Sequence, residues 1–185
     1  AFGTTTVATP YPIQRGCRYI GIRLRPTCSQ RLIGCMPAAL RNTHEAVTRF
    51  AGIELQDVME AATRAVSPER ALQAVATLLE DSVAGLDTRD DLAAALVNHV
   101  EQCGGNVRVS ELARQAALSE RQLERLFSQA VGLSPKLYAR IVRYRQVREV
   151  LGSGGRPCAD LALRFGYTDQ SHLLRDLRGL SGLGP

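Results

Sequence analysis

"SERQLERLFSQAVGLSP", residues 119–135, lies fifty residues before "DQSHLLRDLRGLSGLGP", residues 169–185, and the two align without a gap. They share Leu123 with Leu173, Arg125 with Arg175, Gly132 with Gly182, Leu133 with Leu183 and Pro135 with Pro185. In the first copy Ser119 is placed to cap a helix over 120–131. Leu123, Leu126, Phe127 and Ala130 then fall at i, i+3, i+4 and i+7, the spacing of one buried face. Arg121, Gln122, Arg125, Ser128 and Gln129 occupy the other side. Arg121 and Arg125 are four apart and repel, which costs an isolated helix a few tenths of a kcal/mol. A partner outside the helix is expected to offset that repulsion.

What precedes each copy is also repeated. The short helix "ELARQAAL", residues 111–118, ends beside Ser119, too close for the two helices to pack antiparallel. They must cross steeply, as in a helix-turn-helix. In the second copy "DLALRFG", residues 160–166, is stopped by Gly166, and "YTD", residues 167–169, turns the chain. The next helix is expected to bury Leu173, Leu174, Leu177 and Leu180 while it shows Gln170, Ser171, His172, Arg175 and Arg178. One position departs from the pattern: the first turn carries Ala117, without the left-handed freedom that glycine gives the second.

Charge separates the two halves of the chain. Residues 1–105 hold ten Arg against eleven acids, a balance of −1, whereas residues 106–185 hold twelve Arg and Lys136 against seven acids, a balance of +6. The C-terminal part therefore meets a polyanion or an acidic surface. A preference for Arg over Lys favours planar, bidentate partners such as phosphates and guanine edges, although a GC-rich genome would favour Arg codons as well. Between the copies, Pro135 opens a helix to about Leu151, roughly 25 Å long at 1.5 Å per residue. Such a strut can hold two reading helices apart by a distance near one turn of DNA, roughly 34 Å, so that both enter successive major grooves. Leu137, Ile141, Tyr144, Val147 and Leu151 form its expected core stripe. Arg140, Arg143, Arg145 and Arg148 are expected mostly to face water, with some free to touch phosphate.

The remainder of the chain is less regular. Strands are expected at "TTTVA", 4–8, and "RYIGIRLR", 18–25, where Ile20, Ile22 and Leu24 alternate with polar or small residues. Helical segments follow around 29–34 and 54–65. A further helix opens at "SPER", with Ser67 as cap, Pro68 at the first position and Glu69 at the positive dipole end. Its apolar stripe is read as Leu72, Val75, Leu78 and Leu79 beside Ala71 and Ala76. "AGLDTRD", 84–90, is a polar link, and a domain boundary is expected near 84–89. A helix over about 89–102 ends at Gly104 and Gly105, Ser110 is expected to cap 111–117, and "GSGGRP", 152–157, breaks the chain before helices at 158–165 and 170–180.

No apolar run is long enough to cross a bilayer, and the front end lacks the layout of a secretory signal. The chain therefore reads as soluble and cytoplasmic. Five cysteines without a C-x-x-C pair suggest reduced thiols and no usual zinc site. A metal or thiol switch at Cys17, Cys28 and Cys35 is the lesser alternative. His44, His99 and His172 stand at no recognised catalytic spacing, and "GSGG" lacks the G-K-[ST] continuation of a phosphate loop. Neither an enzyme nor a cofactor is expected.

The stretch from about 90 to 185 resembles the AraC/XylS type of bacterial transcription regulator. "VSELARQAALSERQLERLFSQAVGLSPKLYARIVRYRQVREVL" followed by "ADLALRFGYTDQSHLLRDLRGLSGLGP" is similar in order and spacing to its paired helix-turn-helix domain. The resemblance implies base-edge contacts from Arg121, Glu124 and Arg125 in the first reading helix and from Gln170, Ser171 and Arg175 in the second. Gln122, His172 and Arg178 share those exposed faces and join them as candidates. "YIGIRLRPTCSQRLIGCMPAAL" looks similar to the tail of a sensory region in one branch of these regulators, and no effector site is carried over. The expected fold is mainly α: a small α+β partial-barrel and helical region over 1–86, then a tandem helix-turn-helix domain with its linker helix over 87–185. Expected partners are double-stranded DNA, RNA polymerase and a second copy through the N-terminal helices. The alternative is a helical protein-interaction or adaptor domain without sequence-specific DNA binding.

Overall fold

The computed structural model describes residues 1, 3, 5–6, 14–17, 19–83 and 92–181. The expected boundary near 84–89 and the shared Gly182, Leu183 and Pro185 lie outside the described residues, as does most of the expected strand at 4–8. In chain order the elements are α1 Ser29–Ile33, β1 Arg49–Phe50, β2 Ile53–Glu54, α2 Leu55–Arg64, α3 Pro68–Val83, α4 Leu92–Gln102, α5 Val109–Gln115, α6 Glu120–Val131, α7 Pro135–Gly152, α8 Ala159–Arg164 and α9 Gln170–Ser181. The chain is mainly helical, with a two-stranded sheet in its N-terminal part.

Over residues 19–25 the strand expected at 18–25 does not form. Residues 19–25 carry no ladder pairing, and Ile20 and Ile22 are 41% and 43% exposed. Alternation marks a face that could be buried, but a strand also needs a neighbour for its backbone groups. The pairing found among the described residues is instead the β1–β2 hairpin, in register Arg49 with Glu54 and Phe50 with Ile53. Its two turn residues, Ala51 and Gly52, have φ of 48° and 88°, as a tight hairpin requires. Arg49 Nε lies 2.9 Å from Glu54 Oε1 across it.

α2 and α3 pack on each other. The Arg70 amide donates to Ser67 Oγ at 3.3 Å, as a cap at the head of α3 should. A hydrogen bond from the same hydroxyl, and after it one from its own backbone amide, holds the Glu69 carboxyl below the usual carboxylate range. The buried face of α3 keeps Val75, Leu78 and Leu79 of the expected stripe and departs from it at Leu72. Ala71 and Val75 are enclosed, with Ala74 and Leu78 partly covered, while Leu72 is 58% exposed. The small residues face α2 because two helices approach closely only where side chains are short.

From α4 onward, two apolar clusters share one helix. The first joins Leu96, Val97 and Val100 of α4 to Leu112, Leu123, Phe127 and Tyr138. The second joins Val147 of α7 to Leu161, Ala162, Tyr167 and Leu173. α7 thus serves both, through its first half for one and its last turns for the other. Its packing exceeds the stripe read from sequence: Tyr138, Ala139 and Val142 are buried along with Ile141 and Val147, because α4, α6 and α9 approach it from different sides. α5 begins two residues earlier than expected. Val109 packs into the first cluster, and Ser110 lies inside the helix rather than capping it.

Both turns close by the same backbone scheme. The Leu118 amide donates to Ala113 O at 2.9 Å and the Ala117 amide to Arg114 O at 3.1 Å. At the second turn the Tyr167 amide donates to Ala162 O at 2.9 Å and the Gly166 amide to Leu163 O at 3.1 Å. The left-handed residue is Ala117 in one case and Gly166 in the other, with φ of 53° and 73°. Each helix stop therefore satisfies its last carbonyls and reverses the chain at the same point.

Candidate nucleic-acid interface

The N-terminus of α6 is held by reciprocal hydrogen bonds. Ser119 Oγ accepts from the Gln122 amide at 3.3 Å, and Gln122 Oε1 accepts from the Ser119 amide at 2.8 Å, which together satisfy two otherwise unpaired helix-end donors. From that fixed start Leu123 and Phe127 point fully into the core, with Leu126 and Ala130 partly covered. Arg121, Gln122, Glu124, Arg125, Ser128 and Gln129 are exposed. The structure therefore brings Arg121, Glu124 and Arg125 onto one open face. They line a cleft together with Ser128 and Ser134. Gln122 stands on the same helix with its side-chain carbonyl engaged in the cap.

In the second unit Asp169 fills the capping place: its Oδ1 accepts from the His172 amide at 2.7 Å. Compared with the first turn, which runs from Ala117 to Ser119, this one runs from Gly166 to Asp169 and is one residue longer. Leu173 and Leu180 are buried, Leu174 and Leu177 partly so, and Gln170, Ser171, Arg175 and Arg178 are exposed. Gln170 Nε2 donates to Pro157 O at 3.0 Å, which ties it to the preceding loop. His172 is half-buried, its ring edge-on to Tyr167 at 5.2 Å. Ser171, Arg175 and Arg178 are the members of this group most fully presented.

Sequence periodicity missed Asp176. It aligns with the partly buried Leu126 of the first copy, yet it is a carboxylate and only 6% exposed. Arg140 Nε meets its Oδ1 at 2.7 Å, joining the middle of α7 to the middle of α9. Arg143, three residues on, lies over the Tyr167 ring at 5.3 Å and donates from Nη1 to Gly166 O at 3.3 Å. Two of the four arginines expected to face water on α7 are thus built into the joint between α7 and the second unit. Burial, reinforced by the facing Asp176 carboxylate and opposed by Arg143, pushes the Tyr167 phenol up to about 12. Tyr138 does the corresponding work in the first unit, its hydroxyl donating to Glu101 Oε1 at 2.6 Å. Burial raises its phenol well above the ordinary value, and the Glu101 carboxylate adds to the effect.

The cysteines are free thiols: Cys17, Cys103 and Cys158 are exposed, and Cys28 and Cys35 are half-buried. Cys158 has a structural use that spacing did not reveal, since its Sγ accepts from the Leu161 amide at the head of α8. No helix is long and apolar enough to cross a membrane among the described residues.

The family described as "Helix-turn-helix domain" matches residues 112–185. Over 73 residues the chain is 33% identical to the HTH-type transcriptional regulator YbfI of Bacillus subtilis, covering 40% of this chain and 26% of that protein. It is 32% identical over 120 residues to the HTH-type transcriptional activator RhaS of Klebsiella pneumoniae, covering 61% and 42%. To the HTH-type transcriptional regulator Rv1931c of Mycobacterium tuberculosis it is 31% identical over 87 residues, covering 47% and 34%. The chain thus spans less than half the length of each of these relatives. No solved structure matches it. Paired turns around a shared α7, a family match running through both and the likeness to these three regulators agree: over residues 112–185 the chain is similar to the helix-turn-helix domains of transcription regulators.

Proposed function

We propose that the protein is a sequence-specific DNA-binding transcription regulator that lays α6 and α9 into successive major grooves on one side of the duplex. One observation carries this reading. Two helix-turn-helix units are bonded in the same way and hang on one helix about 27 Å long, and each presents an exposed, donor-rich face. Arg121 and Arg125 in α6, and Ser171, Arg175 and Arg178 in α9, are the base-edge and phosphate donors. Glu124 accepts from a cytosine amine. Gln122, Gln170 and His172 hold the ends of the reading helices and contact the duplex from there. Residues 87–185 form the DNA-binding domain and residues 1–86 a sensory or dimerising region. Double-stranded DNA is the direct partner, and RNA polymerase in a bacterial cytoplasm is the machinery that the bound protein recruits or blocks.

The test is selection of bound duplexes from a random pool at two salt concentrations, followed by the Arg125→Ala and Arg175→Ala variants on the recovered site. Each variant is expected to lose about 1 to 3 kcal/mol and to relax preference at one half of the site only. Equal binding of every duplex by parent and variants alike would remove the reading faces assigned here.

A further inference from the structure

We propose that Arg41, which belongs to neither helix-turn-helix unit, is a phosphate clamp at the edge of the first reading helix. The proposal rests on the duplex-DNA reading above. A cleft of about 380 Å³ lies beside α6, and its walls include Arg41, Arg121, Arg125, Ser128 and Ser134 together with Glu124. Three guanidinium groups against one carboxylate leave a net of +2 around a single opening. Among the described residues, no carboxylate comes within ion-pair distance of any of the three arginines. Like charges gathered without a counterion repel, and an oxyanion that accepts from several of them removes the repulsion. Phosphate suits the forked donors of arginine. α7 also begins at this cleft, with Ser134 as its cap and Pro135 at its first position, so the positive end of an 18-residue helix adds to the field.

The position of Arg41 is set by its own segment. Pro37 and Leu40 are buried, whereas Ala38, Ala39 and Arg41 are exposed. The segment is closed by the Ala39 amide donating to Met36 O at 3.0 Å and the Thr43 amide donating to Leu40 O at 3.2 Å. The Pro37 carbonyl stands so close over the end of α6 that a Cβ at Gly132 would come within 2.6 Å of its oxygen. This segment does not cover the reading face, because Arg121, Gln122, Arg125, Ser128 and Gln129 all remain exposed beside it. It extends that face with one more cation of the same sign, placed where the backbone flanking an occupied groove would run.

The experiment uses the full chain, the duplex recovered by selection and an unrelated duplex of equal length. Binding is measured from 50 to 200 mM salt for the parent, Arg41→Ala, Arg41→Lys and Arg125→Ala. Arg41→Ala is expected to weaken both duplexes alike and to leave base preference unchanged. Its plot of log K against log salt should be shallower by about 0.9, so that the parent's advantage shrinks about three-fold across that range. Arg41→Lys should restore the slope. If Arg41→Ala binds with the parent's slope and affinity, or binds more tightly because the segment obstructs the groove, the clamp is overturned. The Arg125→Ala arm separates the two readings. Relaxed preference there beside an unchanged Arg41→Ala removes the clamp alone, whereas failure of the parent to select any sequence removes the DNA reading and the clamp with it.

Discussion

Ala117 occupies a backbone conformation that L-residues avoid, with φ of 53°, and it does so because the chain must reverse there. The Leu118 and Ala117 amides close the end of α5 only if Ala117 itself is left-handed. Gly166 meets the same demand in the second unit at no steric cost. For Ala117 the left-handed region costs roughly 1 to 2 kcal/mol. Glycine would itself lose more backbone entropy on folding, roughly 0.5 to 1 kcal/mol. Ala117→Gly should therefore stabilise the chain by about 0.5 to 1 kcal/mol, read as a raised midpoint in urea with an unchanged slope. A lower midpoint would mean that the alanine methyl contributes packing worth more than the strain. This position was legible in advance as a departure from the repeat. That the chain takes the left-handed turn regardless was not, because propensity at one residue yields to the tertiary packing on either side of it.

At the scale of elements, the caps other than Ser110 and the breaks were legible, and pairings were not. Ser119, Ser67 and Pro135 stand where expected because a cap depends on three or four neighbouring residues. The strand expected at 18–25 failed over 19–25, and the β1–β2 hairpin went unforeseen, because pairing depends on what lies opposite. Asp176 was hidden for a related reason: periodicity assigns a charged residue to the water side unless a partner is known, and Arg140 is thirty-six positions away in sequence. The pair invites a test at the α7–α9 joint. Removing one member of a wholly enclosed pair costs roughly 3 to 5 kcal/mol. Arg140 is 36% exposed and can turn toward water, so Asp176→Ala should cost less, about 2 to 3 kcal/mol. Asp176→Leu combined with Arg140→Met copies the apolar first unit, where Leu126 holds this place, and should recover most of that loss in urea titrations. If the double variant is no more stable than Asp176→Ala, the ion pair supports the joint through more than its charges.

Across the whole molecule the two halves divide the work unevenly. The C-terminal half was readable from a repeat, a charge split and two turns, because each of these signals is written in a short run of consecutive residues. In the N-terminal half the helices around 29–34, 54–65 and from Pro68 were readable, whereas the hairpin and the packing between distant segments were not, since they depend on residues that meet only in three dimensions, as Pro37 meets Gly132. That half nevertheless leaves a distinctive surface. Met59 on α2, Val66 between the helices and Leu72 on α3 are 69%, 83% and 58% exposed. Scattered apolar residues are ordinary on a surface, but these three belong to one helical pair whose inner face is already filled by Val58, Ala71 and Val75. A second copy using the same pair would cover them by a two-fold, self-matching contact. Leu72→Glu would place like charges against each other across such an axis and should shift the chain toward monomer in sedimentation at micromolar concentration. Thermal stability should change by no more than about 0.5 kcal/mol, as for other exposed substitutions. The two-helix binding to DNA proposed for a single chain would survive this change. Loss of cooperative occupancy on paired sites, with single-site affinity intact, is the expected result, and an unchanged sedimentation profile would place any self-association elsewhere.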